Sequence, residues 1–269
     1  MSTIQRFRHA ARRVGQTLTD FENGPRLLGG IAARAISGRP DELVFRVDDR
    51  LNVICPNRPG ARVPVYEVFA EDTYRLSWFT GDLGDDPVAV DIGAHIGCFA
   101  LAFARQHPKG QIEAFEASPS TAVYLQRNID HNGLSDRVHC HQVAVASKTG
   151  TLVFADNVGG SSLNGITAPE GATQIEVPCV TVADAFASAG VGVEVVKIDT
   201  EGAEYDMVLN SRSEDWAGVR RVVMEYHDVA GHSWVELEAF FSEAGFLTVA
   251  HEPVNPRQGT VWLSREALR

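Results

Sequence analysis

One seven-residue segment, Asp91-Ile92-Gly93-Ala94-His95-Ile96-Gly97, constrains the fold of this chain more than any other. Residues 88–90 form an apolar run before it, and residues 98–107 follow it with a helical pattern. A second apolar run ends in the acidic residue Glu116, about 20 positions further on. This order of strand, glycine turn, helix and second strand with a terminal acid predicts a nucleoside site. Glycines let the backbone approach a ligand closely, and a carboxylate can accept hydrogen bonds from both ribose hydroxyls.

The middle position of this turn argues against a dinucleotide. A dinucleotide fingerprint reads G-x-G-x-x-G, and its middle glycine makes room for a pyrophosphate. Here His95 stands at that position, between Gly93 and Gly97. The pattern D-x-G-x-x-x-G after a strand is instead typical of class I S-adenosylmethionine-dependent methyltransferases, whose cofactor has no phosphate. We therefore expect a Rossmann-like α/β fold that binds S-adenosylmethionine and forms S-adenosylhomocysteine.

The position of each residue in this half of the chain predicts its role toward the cofactor. Gly93 would lie against the methionine part, Asp91 would receive the amino group, and Glu116 would hold the ribose diol. Residues 117–118 and 143–145 would border the two faces of the adenine. The expected cofactor-binding residues are Asp91, Gly93, Ala94, His95, Gly97, Glu116, Ala117, Ser118 and Ala144.

Strands and helices alternate from residue 88 onward, which predicts a largely parallel, seven-stranded sheet with helices on both faces. The predicted strands are 88–92, 111–115, 138–145, 193–198, 219–226, 246–250 and 260–263. The predicted helices are 97–106, 118–132, 202–210 and 234–244. Residues 148–187 interrupt the alternation with a strand at 151–155, a polar loop at 156–172 and a strand at 174–180.

Residues 1–80 are predicted to form a helical and short-strand extension before a methyltransferase domain at 81–269. Apolar residues recur at spacings of three and four from Ile4 to Leu18, which predicts an amphipathic helix. We interpret that helix as a packing arm or a homodimer contact, with a lid over the substrate as the alternative. Gly29-Gly30 is expected to break a second helix. Further on, the expected elements are short strands at 42–47, 51–55 and 62–66 and a helix at 68–79.

Length and composition limit the possible partners. The 269 residues are 44% hydrophobic, which is enough for one sizeable core. A formal net charge of −11 disfavours nucleic acid as a partner. The four cysteines lack zinc-ligand spacing and indicate reduced thiols in a cytoplasmic protein. No apolar run reaches the roughly 20 residues of a membrane helix, so no membrane partner is expected. Residues 27–36 are the nearest candidate for the apolar core of a signal peptide, but they begin too late in the chain and contain Arg34.

A second motif, residues 195–204, reads VVKIDTEGAE. Its apolar strand carries Asp199 to the carboxyl end, where ligands bind in open α/β sheets. The next predicted strand ends in Glu225-Tyr226-His227 and brings two more ionisable groups to the same rim. We therefore expect Asp199 near the reacting methyl group, with Glu225 and His227 beside it.

Together these residues resemble the FkbM-type methyltransferase family over about residues 65–250. Members of that family have a DxGAxxG turn, an acid ending the second strand, a KIDxEGxE block and a later strand ending in Glu-x-His. This chain has all four, and departs from the family only at His95, where the family usually has Asn. The resemblance implies S-adenosylmethionine as the methyl donor. It also implies a hydroxyl oxygen as the usual acceptor, on a natural product or a sugar.

Transfer to an alcohol requires alignment of the oxygen, carbon and sulfur atoms, exclusion of water and removal of the hydroxyl proton. We hypothesise that Asp199 or His227 is the base and that Glu225 orients its neighbour. The small-molecule acceptor is expected to contact Tyr66, Tyr74, Ser161, Ser162, Asn164, Glu201 and His232. We favour a site without metal. The alternative is a magnesium ion bound by carboxylates of Asp199, Glu201 and Glu225.

Four other functions stay open on the sequence. N-methylation or C-methylation of a small molecule would use the same donor site. A nicotinamide-dependent oxidoreductase is disfavoured by His95 and by the lack of a Tyr-x-x-x-Lys pair. An inactive cofactor-binding scaffold is disfavoured because the acids at the strand ends are intact.

Overall fold

A computed structural model describes residues 3–155, 174–190 and 192–268 of the chain. The helices are α1 (Thr3–Thr19), α2 (Gly24–Ser37), α3 (Pro59–Phe69), α4 (Leu76–Thr80), α5 (Cys98–Gln106), α6 (Pro119–His131), α7 (Val182–Ala187), α8 (Glu204–Leu209) and α9 (Trp234–Glu243). The strands are β1 (Glu42–Arg46), β2 (Asn52–Pro56), β3 (Val88–Ile92), β4 (Gln111–Phe115), β5 (Val138–His141), β6 (Ala144–Val145), β7 (Gly150–Ala155), β8 (Gln174–Val180), β9 (Val195–Ile198), β10 (Arg221–Tyr226), β11 (Leu247–Asn255) and β12 (Gln258–Ser264). A short 3-10 helix covers Ser213–Trp216.

The central sheet has seven strands in the order β11-β12-β10-β9-β3-β4-β5. The five strands from β10 to β5 pair in parallel, whereas β12 pairs antiparallel with both of its neighbours. Every residue of β3 and β9 is buried, as expected of strands covered on both faces. The predicted Rossmann-like fold is confirmed. The chain passes from β3 to β4 on one side and later returns to β9 on the other, which opens a crevice at the carboxyl ends of these strands.

The third predicted strand, 138–145, is wrong in its second half. The main sheet keeps only β5, because the chain turns after His141, with the Val143 amide donating to the His141 carbonyl at 2.9 Å. β6 then pairs with β8 in a separate three-stranded sheet of order β6-β8-β7. No proline or glycine in residues 138–145 gave a sign of this change of sheet. The hairpin of β11 and β12 is also longer than the predicted strands.

The N-terminal region contains the predicted hairpin of β1 and β2, but not the predicted strand at 62–66. That segment lies inside α3, which also replaces the start of the helix predicted at 68–79. Pro59 occupies the first helical turn, where a missing amide costs nothing, and Ala61, Val65 and Val68 share one buried helical face. Residues 62–66 therefore follow a helical period that the flanking prolines obscured.

Gly29-Gly30 does not break α2, which continues to Ser37. A Cβ atom at Gly30 would lie 2.8 Å from a Leu43 side-chain carbon. The glycine there permits close packing of α2 on β1 rather than ending the helix. In the part of the chain that the structure describes, no helix combines the length and apolarity needed to cross a bilayer.

One hydrophobic cluster joins the N-terminal elements to the sheet domain, with Phe45 of β1, Val65 of α3 and Phe99 of α5 among its members. The buried Asn128 of α6 strengthens this junction. Its amide nitrogen donates to the carbonyls of Ile54 at 3.0 Å and Ile96 at 2.8 Å, and its oxygen accepts from the Ile54 amide at 2.7 Å. A single side chain therefore connects β2 to the glycine turn.

Replacement of Asn128 by alanine should lower the free energy of unfolding by about 3 kcal/mol, because three buried backbone groups lose their partner. Chemical denaturation measures this change. The matched control is Gln126→Ala on the exposed side of the same helix, where the loss should stay within about 0.5 kcal/mol. Equal stabilities of the two variants would contradict the role given to Asn128.

Candidate active site

A cavity of about 340 Å³ opens at the carboxyl ends of β3, β4, β9 and β10. The residues that line it from these strand ends are Ile92, Gly93, His95, Phe115, Glu116, Ala117, Asp199, Thr200, Glu201, Ala203, Glu225 and His227. Further lining comes from residues 143–145, Leu152, Phe154, Gln258 and the face of α3 formed by Gly60, Val63, Pro64 and Glu67. Glu116 follows β4 and Glu225 ends β10, three strand spacings or about 14 Å away, so the cavity has two chemically distinct ends.

The glycine turn is held by the backbone of the neighbouring strands. The amides of Gly93 and Ala94 both donate to the Phe115 carbonyl, at 2.9 and 2.8 Å. Gly93 has a φ of +77°, and a Cβ atom on it would lie 1.7 Å from the Asp199 carbonyl oxygen. The loop after β9 therefore packs so closely on the glycine turn that only glycine fits at this position, whether or not a ligand also approaches it.

Lys197 connects the two motifs in the interior. Its ammonium donates to the Gly93 carbonyl at 2.6 Å and lies 3.3 Å from Asp91 and 3.9 Å from Asp199. Asp91 is fully buried and does not line the cavity. Burial raises the pKa of Asp91, and the charge of Lys197 opposes that shift. Asp91 therefore fixes Lys197 and the turn from beneath the cavity.

Glu116 presents a carboxylate at the β4 end. It accepts from the amides of His95 and Ser118, each at 2.8 Å. Burial is the main cause that raises the pKa of Glu116 to about 7, and the negative charge of Asp91 adds to it. The two amides and the positive charge of Lys197 act in the opposite direction and favour the anion. This carboxylate faces the cavity with acceptor capacity left for a ligand.

His95 lines the same end with an unusual backbone angle, φ +52°. Both of its ring nitrogens are buried, and neither has a hydrogen-bond partner among the described residues. Burial, followed by the charge of Lys197, lowers the pKa of His95 to about 3, so the ring is neutral. A buried imidazole without partners inside a cavity is costly unless a ligand supplies them.

The other end of the cavity is acidic and surrounds His227. The Nε2 atom of His227 lies 3.5 Å from Glu201 and 3.9 Å from Asp199, and its Nδ1 atom lies 2.9 Å from the buried carboxylate of Glu204. Burial alone would lower the pKa of His227, but the hydrogen bond and charge of Glu204, with Asp199 and Glu201, raise it to about 10. His227 is therefore cationic when only protein groups surround it.

Two further carboxyl groups lie at this acidic end. Burial and the charge of Asp199 raise the pKa of Glu67 to about 7 and that of Glu225 to about 8. The Tyr74 hydroxyl donates to Glu225 at 3.1 Å and fixes its orientation. The acidic end can therefore accept hydrogen bonds from several donors on a ligand.

Several residues expected at the site lie elsewhere. Tyr66 packs in the N-terminal core, where its hydroxyl lies 2.7 Å from the Thr17 hydroxyl. Tyr74 lies behind Glu225, and His232 stacks on Tyr205 at 4.8 Å outside the cavity. The expected residues that do not line the cavity are Asp91, Ala94, Gly97, Ser118, Tyr66, Tyr74 and His232. Ser161, Ser162 and Asn164 lie outside the described residues.

The sequence prediction missed two contributions. Gly60, Val63, Pro64 and Glu67 have the i, i+3, i+4, i+7 spacing of one helical face, a signal hidden by the assignment of residues 62–66 to a strand. The second is Glu204, which was not among the predicted site residues. It is fully buried and accepts from the Thr200 amide as well as contacting His227.

Comparison with known proteins agrees with this geometry. Residues 91–248 match the model of the methyltransferase FkbM domain. The chain belongs to the FkbM methyltransferase family. It is 29% identical to methyltransferase sdnD of Sordaria araneosa, over 74% of this chain and 86% of that protein. It is also 29% identical to the 31-O-demethyl-FK506 methyltransferase FkbM of Streptomyces tacrolimicus, over 77% of this chain and 90% of that protein.

Two further similarities are more distant. The 2-O-methyltransferase NoeI of Sinorhizobium fredii is 28% identical over 53% of this chain and 64% of that protein. The solved METTL16 MTase domain superposes with a TM-score of 0.52 at 12% identity, over 97% of this chain and 92% of that chain, which supports the fold alone. The FkbM family member described here is an S-adenosylmethionine-dependent methyltransferase.

The residues present fit that cofactor. S-adenosylmethionine has an amino acid tail, a ribose diol and a positively charged sulfonium that supplies the methyl group. His95 would hold polar groups of the tail, since its buried ring nitrogens have no partner within the part of the chain that the structure describes. Glu116 would accept from the diol, and Ala117 and Ala144 would border the adenine.

Replacement of Gly93 by alanine should lower the free energy of unfolding by more than about 2 kcal/mol, because the new methyl group overlaps the Asp199 carbonyl. The matched control is Gly133→Ala. Gly133 has a similar φ of +65° with no atom within 4 Å, so only backbone strain of about 1 kcal/mol is expected. Equal losses in thermal unfolding would show that the contact with Asp199 is unimportant.

Affinity for S-adenosylhomocysteine should rise by up to about tenfold as the pH increases through the pKa of Glu116, about 7, because only the anion accepts from both ribose hydroxyls. Isothermal titration calorimetry at a series of pH values measures this. Glu116→Gln should bind more weakly and lose the pH dependence assigned to this carboxyl. A dependence that persists unchanged in Glu116→Gln would assign it to another group, such as the ligand's own amine.

Proposed function

We propose that this enzyme transfers a methyl group to a hydroxyl oxygen of a small natural product or a sugar. The observation that carries the proposal is the acidic end of the cavity, where Glu67, Asp199, Glu201 and Glu225 offer carboxylate acceptors beside the glycine turn. Hydroxyl groups are hydrogen-bond donors that such a surface can hold. Two of the relatives, from Streptomyces and Sinorhizobium, have names that specify an oxygen position.

Asp199 is the residue best placed to act on the acceptor. It follows β9 directly, and its carbonyl lies against Gly93, so its carboxylate lies next to the methionine side of the donor site. In the transfer, a lone pair of the hydroxyl oxygen forms the new bond to the methyl carbon. The carbon–sulfur bond breaks with its electrons on sulfur, and Asp199 receives the hydroxyl proton.

Glu225 and His227 position this carboxylate. His227 lies 3.9 Å from Asp199 and is fixed on its other side by Glu204. Glu225 is held by Tyr74 at the same rim. Because the three groups that contact His227, from Asp199, Glu201 and Glu204, are all carboxylates, we assign it an orienting role instead of that of the base.

The charge of the cavity also restricts the partner. Asp199 and the partly ionised carboxyl groups of Glu67, Glu201 and Glu225 at the acceptor end would disfavour a phosphate or a carboxylate, so a neutral polyhydroxyl compound fits better than an anionic one. Together with the net charge of −11, this disfavours nucleic acid as the substrate. We propose a small-molecule acceptor in the cytoplasm.

Isotope labelling identifies the atom that is methylated. The enzyme is incubated with methyl-¹³C-labelled S-adenosylmethionine and a panel of sugars, hydroxylated polyketides, amines and carboxylic acids. Formation of a labelled methyl ether on a hydroxylated compound supports the proposal. Labelled N-methyl or C-methyl products without any methyl ether would contradict it.

Asp199→Asn should lower kcat by about 100-fold to 10,000-fold, because the hydroxyl proton loses its acceptor, while affinity for S-adenosylhomocysteine is retained. Asp206→Asn is the matched control, since that carboxylate lies on the exposed side of α8 and accepts a hydrogen bond from the Ser147 amide at 3.0 Å. Steady-state kinetics and calorimetry give the two readouts. Full turnover in Asp199→Asn would remove it from the catalytic residues.

A further inference from the structure

We propose that Asp199, Glu201 and His227 form a binding site for one divalent transition-metal ion at the acceptor end of the cavity. The inference deepens the proposed function, since the ion would hold and acidify the acceptor hydroxyl. It differs from the magnesium site considered from the sequence because His227 takes the place of Glu225. The donor set is therefore two carboxylates and an imidazole instead of three carboxylates.

The distances suit a single ion. One oxygen of Asp199, one oxygen of Glu201 and one ring nitrogen of His227 all lie within 4.8 Å of one another. The Nε2 atom of His227 is 3.5 Å from Glu201 and 3.9 Å from Asp199. Two ligands bound at about 2.1 Å and at a tetrahedral angle lie about 3.4 Å apart. Small side-chain rotations would therefore complete the coordination.

The orientation of His227 is the independent observation in favour of an ion. Its Nδ1 atom is 2.9 Å from Glu204, a carboxylate that is fully buried and also accepts from the Thr200 and Gly202 amides. A metal-binding histidine almost always donates its other nitrogen to such a carboxylate or carbonyl, which fixes the tautomer and directs the free nitrogen to the metal. Here Nε2 is the free nitrogen, and it faces the two carboxylates.

The charges at this end favour a cation as well. Four of the described carboxyl side chains that line the cavity lie at this end, from Glu67, Asp199, Glu201 and Glu225. Among the described lining residues, the only side chains that can become cationic are His95, which is neutral, and His227. A bound divalent ion would supply two positive charges where a protonated His227 supplies one. It would also leave coordination positions open toward the cavity.

The donor set indicates which ion. Imidazole suits zinc, iron and related metals, whereas magnesium prefers an all-oxygen environment with several waters. One imidazole and two carboxylates are therefore better suited to Mn²⁺, Fe²⁺ or Zn²⁺. The ion would bind the acceptor hydroxyl and lower its pKa. Asp199 would then act through the ion, and Glu225 or Glu67, which do not bind it, would receive the hydroxyl proton.

Binding of Mn²⁺ alone tests this site. The full chain is stripped with chelator and dialysed, and free Mn²⁺ is followed by electron paramagnetic resonance during titration. We expect saturable binding of one ion per chain. Asp199→Asn should weaken it at least tenfold, and Glu204→Gln, which removes the group that orients His227, by about 10-fold to 100-fold. Calorimetry with S-adenosylhomocysteine confirms that each variant is folded.

The matched control is His139→Gln. His139 belongs to a second carboxylate–histidine group, with Glu113 at 2.8 Å, on β5 at the edge of the sheet. Its loss should leave Mn²⁺ binding unchanged. The proposal is overturned if no saturable binding occurs, or if binding persists in Asp199→Asn and disappears in His139→Gln.

A turnover measurement separates this inference from the proposed function. If the ion is required, exhaustive chelation should abolish methyl ether formation and Mn²⁺ should restore it. Methyl ether formation that survives chelation would overturn the metal site and leave the O-methylation intact. Mn²⁺ binding at Asp199 with labelled methyl only on nitrogen or carbon would overturn O-methylation and leave the site intact.

Discussion

The structure depends most on the buried ammonium of Lys197. It donates to the Gly93 carbonyl and lies between the carboxylates of Asp91 and Asp199. Asp91 is fully buried, and removal of the partner of such a charge typically costs about 3–5 kcal/mol. The lysine therefore stabilises the glycine turn and the start of the acceptor region through one set of contacts. This arrangement explains why the two most informative motifs of the sequence, far apart along the chain, act as one site.

The two ends of the cavity have different electrostatic properties, and this difference suits methyl transfer. The β4 end offers the carboxylate of Glu116 and the neutral ring of His95 for the polar groups of a nucleoside and an amino acid. The β9 and β10 end is strongly acidic and suits hydrogen-bond donors. Lys197 lies in the interior between them. Alignment of a donor and an acceptor in such a cavity, with water excluded, supplies much of what the reaction requires.

Most of the fold was predictable because local patterns determine it. The strands β3, β4, β9 and β10 are rich in apolar residues, as strands buried in parallel sheets usually are. The errors occur where tertiary contacts overrule a local signal. The prolines around residues 56–64 suggested turns and strands, but burial of one face formed α3. Gly93 was explained by ligand contact, whereas the Asp199 carbonyl is the first atom that a side chain there would strike.

The chemistry of the acceptor end was only partly predictable for the same reason. The strand ends located Asp199, Glu225 and His227 at one rim, and the structure confirms that they line one cavity. The contact of His227 with Glu204 fixes the orientation of the ring. It depends on how α8 packs below the rim, and the spacing of residues along the chain did not reveal it. Glu67 likewise reaches the cavity only because α3 is a helix.

A crystal structure of the complex with S-adenosylhomocysteine would show whether Lys197 joins a nucleoside end to an acceptor end. We expect that the ribose hydroxyls donate to Glu116, that a ring nitrogen of His95 bonds to the amino acid tail, and that the sulfur faces Asp199. A ribose held by Asp199, Glu201 or Glu225, or a sulfur directed away from Asp199, would contradict it.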